Sequence, residues 1–162
     1  MKFLLGLTLF CISQLTFGQQ SQTMKPIDPA TLKSFAPNGT LRVGINLGNP
    51  VLASEDATTK KLSGVTIDIA NEIGQRINLL VQLIPYKSAG ATVDGIKNGD
   101  LDLVFVAIDP VRGVDVSYTP AYIQIEGAYM VKSSSALKRN EEVDAAGTEI
   151  IVGKGSAYDL FL

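Results

Sequence analysis

The 162-residue chain has no histidine, and its one cysteine is Cys11. The first absence removes the commonest general base and the commonest metal ligand near neutral pH. The second leaves no pair of thiols to close a disulfide. A dominant sign of charge is also missing: 14 Lys and Arg against 16 Asp and Glu give a net charge of -2, and both signs are scattered. Without a basic face, nucleic acid is not an expected partner. There is no internal repeat and no low-complexity tract. What is present is ordinary for a globular protein: 46% hydrophobic and 19% charged residues, at a length that fits about one domain.

Met1 to Gly18 reads as a secretory signal peptide. Lys2 is its positive end, Phe3 to Ile12 its apolar stretch, and Thr16 to Gly18 its cleavage site. The apolar stretch is too short to span a bilayer. Cys11 follows bulky Phe10 where a lipid-attachment signal wants a small residue, so a soluble exported protein without cysteine is expected.

Residues 19–38 are a polar tether with one short helix, capped by Asp28 and started by Pro29. Leu41, Val43 and Ile45 alternate within TLRVGIN, a first strand over 40–46. Leu47 to Pro50 is the loop at its carboxyl end, and residues 51–62 are a polar excursion, a solvent loop or hairpin. Ile67, Ala70, Ile73 and Ile77 recur at helical spacing and predict an amphipathic helix over 66–77, which the isolated Gly74 weakens. LLVQLIPY makes a second strand ending at Tyr86. Ser88 caps a helix through Lys97, and Asn98-Gly99 ends it. Residues 101–108 are almost unbroken apolar sequence, the signature of a strand covered on both faces. This order predicts a βαβαβ unit on a parallel sheet. Ala121 to Val131 leaves that unit, Thr148 to Val152 is a further strand, and Gly153 to Ser156 turns into a helix near Ala157.

Arg112 is the sharpest candidate for chemistry. It follows Asp109-Pro110, just past the carboxyl end of the third strand, where open α/β sheets bind ligands. Its planar fork suits a carboxylate. It equally suits an ion pair with Asp115 or Asp109. Asp109 faces a ligand amine or caps a helix. The glycine turn at 153–156 offers N–H groups to an anion, or is a plain strand-to-helix turn capped by Ser156. Asn46 and Asn49 reach a ligand or build their own turn. Asp68 and Glu72 form a carboxylate pair or a solvated helix face, and Asp100 and Asp102 stay in water. Tyr86, Tyr118 and Tyr122 line a cleft or a core.

In order and spacing, LRVGINLGNP (41–50), GVTIDIANEIGQRI (64–77), GDLDLVFVAIDPVRGVDVSYTPAY (99–122) and IIVGKGSAYD (150–159) resemble the extracellular solute-binding proteins of ABC importers, family 3. The resemblance implies an α/β, three-layer parallel-sheet lobe of a two-lobed type II periplasmic binding fold. It divides the chain into a signal peptide (1–18), a tether (19–38), a first lobe (39–120), and a crossing with the start of a second lobe (121–162). It implies that Arg112 holds the ligand's α-carboxylate and that Ser156 and Ala157 help. The place of the family's aromatic residue falls near Asn49. Ala107 and Ile108 stand where small polar residues are usual, and Thr66 stands where an acid is usual. The implied role is periplasmic binding of an amino acid or organic acid by cleft closure, as a monomer, for an ABC permease. No cofactor, metal or catalysis is implied. The family's second lobe runs on further, so a truncated chain is expected. Two alternatives accompany this reading. One is a dehydratase of the cyclohexadienyl or arogenate type on the same scaffold, with Asp109 or Glu126 as its acid. The other is an inert truncated product.

Overall fold

Leu41, Val43 and Ile45 have no solvent exposure at all, which marks their strand as the centre of the molecule. In the computed structural model, which describes residues 26–114 and 116–162, that strand is β1 (Thr40–Asn46). The readings placed on residues 1–18, Cys11 and Asp115 lie outside the described residues. Strand β1 runs parallel to β4 (Leu80–Tyr86), in register from Thr40 with Leu80 to Asn46 with Tyr86. On its other side it runs parallel to β5 (Leu103–Val104), so the sheet order is β4-β1-β5. A middle strand is covered on both faces, so Leu41 and Ile45 each contribute about 1.5–3 kcal/mol by burial.

Two helices cover this sheet. Helix α1 (Pro29–Phe35) precedes it, with the Asp28 carboxylate accepting from the Thr31 N–H at 3.0 Å. Helix α2 (Val65–Ile77) turns Thr66, Ile67, Ala70 and Gly74 inward and ends at Asn78, whose left-handed backbone (φ 55°) closes the last turn. Gly74 is a packing requirement. A Cβ there would lie 2.1 Å from Val81 Cγ2 and 3.0 Å from the Leu79 carbonyl oxygen, so the helix rests directly on the start of β4. Helix α3 (Ala89–Lys97) buries Thr92, Val93 and Gly95, and Ser88 Oγ accepts from the Ala91 N–H at 3.2 Å. Ile67 and Ala70 join Leu41, Val43, Ile45 and Ala53 in one core.

The polar excursion is a hairpin, β2 (Ser54–Glu55) against β3 (Leu62–Ser63). Asp56 builds its turn by accepting from the Thr58 and Thr59 N–H groups at 3.0 and 2.7 Å. Those bonds hold the Asp56 carboxyl below its ordinary range.

Three expectations are corrected. The third strand was expected over 101–108, but only Leu103 and Val104 pair with β1. Hydrophobicity reports burial, whereas a strand needs a ladder partner, and β5 lies at an edge. Residues 103–106 are half-buried, and Ala107 and Ile108 are exposed. The strand expected over Thr148 to Val152 is absent among the described residues; Ile150 and Ile151 are exposed there with no ladder. The side chain of Asp102, expected in water, is covered to 4% exposure and paired with Arg42. The helix expected near Ala157 is present as α4 (Ala157–Phe161).

Candidate functional site

The chain leaves the sheet after β5, and Asp109-Pro110 ends its extended run. The Asp109 carboxylate then accepts from the Val111 N–H at 2.9 Å and the Arg112 N–H at 3.1 Å, starting a single 3-10 turn over Arg112–Val114. This is the capping role that Asp-Pro invites. The turn swings the Arg112 side chain inward, where the residue is only 4% exposed. A buried guanidinium must have acceptors, because losing water without replacing its hydrogen bonds is costly. Two carbonyls serve. Nη2 donates to the Gly155 oxygen at 2.7 Å, and Nη1 makes a long contact of 3.5 Å with the Ala107 oxygen. The Tyr118 hydroxyl lies over the same stretch, 3.5 Å from the Ala107 oxygen and 3.4 Å from the Asp109 oxygen.

Gly155 belongs to the turn Gly153 to Ser156, in which the Ser156 N–H donates to the Gly153 oxygen at 2.9 Å. Its φ of +71° is a conformation that glycine alone adopts without strain. Ser156 Oγ accepts from the Asp159 N–H at 3.2 Å and so caps α4. In return the Asp159 carboxylate accepts from the Gly155 N–H at 2.7 Å. The Gly155 peptide is therefore held at both ends, its oxygen by Arg112 and its N–H by Asp159. The turn lies against the start of α3 at Gly90: a Cβ on Gly90 would stand 3.5 Å from the Gly155 Cα.

The structure thus brings Ala107, Asp109 and Arg112 together with the turn that carries Ser156 and Ala157. Asn49 stands apart. Its side-chain oxygen accepts from the Val51 N–H at 3.2 Å, and no hydrogen bond joins it to the others among the described residues. Asn46 likewise accepts from the Gly48 N–H at 2.9 Å, so both asparagines build the loop after β1. Glu72 pairs with Arg76 at 2.6 Å on an exposed helix face. Tyr122 packs edge-on against Phe105, ring centres 5.7 Å apart, and Glu126 is exposed. Thr66 is buried in α2. The sequence reading missed Gly90 and Asp159. The spacing of Ser156 and Asp159 resembles a helix-start pair and was the available signal for the second; Gly90 carries no local signal.

The family model for bacterial extracellular solute-binding proteins, family 3, matches residues 41–154, which is most of the chain. A curated relative, the ABC transporter glutamine-binding protein GlnH of Bacillus subtilis (strain 168), is 22% identical over 143 residues. That alignment covers 86% of this chain and 52% of the relative, so the chain spans about half the relative's length. Among solved structures, an ancestral cationic amino acid solute binding protein aligns with TM-score 0.44 and 24% identity over 51% of this chain and 36% of its own. An ancestral cyclohexadienyl dehydratase aligns with TM-score 0.44 and 21% identity over 51% of this chain and 34% of its own.

Proposed function

The chain belongs to the bacterial extracellular solute-binding proteins, family 3, and from that premise we propose that it binds an amino acid or similar small carboxylate-bearing solute outside the cytoplasm for an ABC permease. The observation that carries the proposal is Arg112: a buried guanidinium just past the carboxyl end of the sheet, facing the Gly153 to Ser156 turn. Two carbonyl oxygens are poor final partners for a full positive charge. A ligand carboxylate would accept two parallel charge-assisted bonds from the same fork. In this reading Ala107 and Asp109 shape the arginine's side of the site. Ser156 and Ala157 supply groups from the facing turn, and Asn49 belongs to the loop that meets the rest of the solute.

The lobe division belongs to the same proposal: residues 39–120 as the first lobe, and 121–162 as the crossing and the start of the second. So does delivery in the periplasm by a monomer that closes around its solute. Because GlnH is by its name a glutamine-binding protein, L-glutamine is the first solute to try. The reading is of a binder and not of a catalyst. Of the two acids that a dehydratase could use, Asp109 already accepts two backbone N–H groups and Glu126 is exposed.

The test is a thermal-shift screen of the full chain against the twenty amino acids and small organic acids, followed by calorimetry on any that raise the melting temperature. Saturable 1:1 binding of a carboxylate-bearing solute supports the proposal. A chain whose melt no carboxylate moves, even at millimolar concentration, overturns it for this chain.

A further inference from the structure

We propose that the Gly155 carbonyl is a built-in competitor for Arg112, a latch that a ligand's carboxylate must displace to reach the guanidinium. The inference rests on the reading of Arg112 as the carboxylate holder and adds how that residue is kept covered. Three observations carry it. Arg112 is 4% exposed, and its shortest bond, 2.7 Å, goes to a residue 43 positions on in sequence. The Gly155 peptide that supplies the oxygen is fixed from behind by the Asp159 carboxylate at 2.7 Å. The turn packs closely on Gly90: a Cβ on Gly155 would come to 3.3 Å from the Gly90 Cα, and one on Gly90 would stand 3.5 Å from the Gly155 Cα, already in contact. A Cβ at position 90 would already touch the Gly155 Cα and oxygen, at 3.5 and 3.7 Å, so the further carbons of a branched side chain are expected to press on the turn.

The latch contact is a neutral acceptor on a cation. It satisfies the guanidinium enough to bury it, and it yields to an acceptor that carries a full charge. Asp159 acts through Gly155 and is a positioning residue.

The experiment measures how fast phenylglyoxal, which attacks accessible guanidinium groups, modifies each arginine of the full chain, read by peptide mass spectrometry. Arg139, whose side chain is 73% exposed, is the exposed reference, and Arg42, paired with Asp102, reports that the sheet is intact. Arg112 is expected to react about tenfold or more slowly than Arg139, because it must await release of the turn. Gly90→Ala, whose added carbon sits at ordinary contact distance, leaves that protection in place. Gly90→Val brings Arg112 close to the rate of Arg139 while Arg42 stays slow. Asp159→Ala, at an exposed position, loosens the turn from the other side and gives the same direction should Gly90→Val fail to fold.

Arg112 reacting as fast as Arg139 in the unaltered chain overturns the latch. So does protection that survives in folded Gly90→Val and Asp159→Ala alike. A final arm adds L-glutamine and, separately, acetate. Either one slowing Arg112 modification in Gly90→Val more strongly than in the unaltered chain is the competition proposed. A latch that opens as described, with neither compound nor any other amino acid protecting Arg112, leaves the contact standing and overturns the carboxylate reading of the site.

Discussion

Arg42 and Asp102, sixty residues apart in sequence, join β1 to the start of β5 through side chain and backbone together. The guanidinium meets the carboxylate at 2.6 Å through Nη2 and 3.0 Å through Nε. The Arg42 N–H donates to the same carboxylate at 2.9 Å, and the Asp102 N–H donates back to the Arg42 oxygen at 2.9 Å. The guanidinium makes its third bond from Nη1 to the Gly99 oxygen at 2.8 Å. β5 has only two residues in the ladder, so this clamp holds the edge from which Arg112 is hung.

The clamp sets the response to acid. Burial alone would raise the Asp102 carboxyl, but the side-chain and backbone bonds from Arg42 and its charge outweigh that and hold it below the ordinary range. A carboxyl lowered in the folded state adds stability above its unfolded value, about 4 for Asp, and loses it as pH falls toward the folded value. Melting temperature is therefore expected to fall steadily below about pH 4. Asp102→Asn lowers it at pH 7 and flattens the acid limb. An Asp102→Asn chain with the parent's full acid dependence would put that dependence on other groups, such as Asp56 or Glu142, which are also lowered.

Arg112→Lys discriminates a fork from a point charge. Lysine keeps the charge but cannot make two parallel bonds. Loss of one charge-assisted bond corresponds to about 1.5–3 kcal/mol, or roughly tenfold to a hundredfold in affinity. Arg112→Ala is expected to weaken binding further. Isothermal calorimetry with the best solute from the screen measures both, and equal affinity in all three chains removes Arg112 from the site.

Gly74→Ala runs against helix propensity. Alanine is favoured over glycine inside a helix by about 1 kcal/mol. Here the new methyl meets Val81 Cγ2 and the Leu79 carbonyl, and overpacking of this kind costs about 1–3 kcal/mol. A net loss of stability is expected in chemical denaturation, and a gain would mean that β4 moves aside freely.

Ser88→Ala removes the cap that accepts from the Ala91 N–H. The expected cost is about 1 kcal/mol, read as a lower denaturation midpoint with an unchanged slope. Because the first turn of α3 carries Gly90, the same change is expected to quicken phenylglyoxal attack on Arg112.

Local signals carried the reading as far as local physics reaches. The alternation of Leu41, Val43 and Ile45 and the helical spacing of Ile67, Ala70 and Ile73 gave β1 and α2 nearly to the residue, because burial imposes those periods. Asp109 and the two asparagines were readable as turn builders because each bonds within three residues of itself. Pairing between distant segments was not readable. The apolar run at 101–108 overstated β5, since it could not tell a ladder from a covered edge. Asp102 looked solvated because its partner is sixty residues away. Arg112 stood out by position, but the Gly155 carbonyl that meets it did not, since nothing near either residue names the other.

The sheet order has a consequence for how the chain is made. The most deeply covered strand, β1, comes first, but its neighbours lie forty residues on at Leu80 and sixty on at Leu103. During synthesis its apolar side chains wait without shelter until both later segments have emerged, and a chain that closes such distant pairs assembles slowly. That delay keeps the nascent polypeptide open to whatever machinery handles unfolded clients.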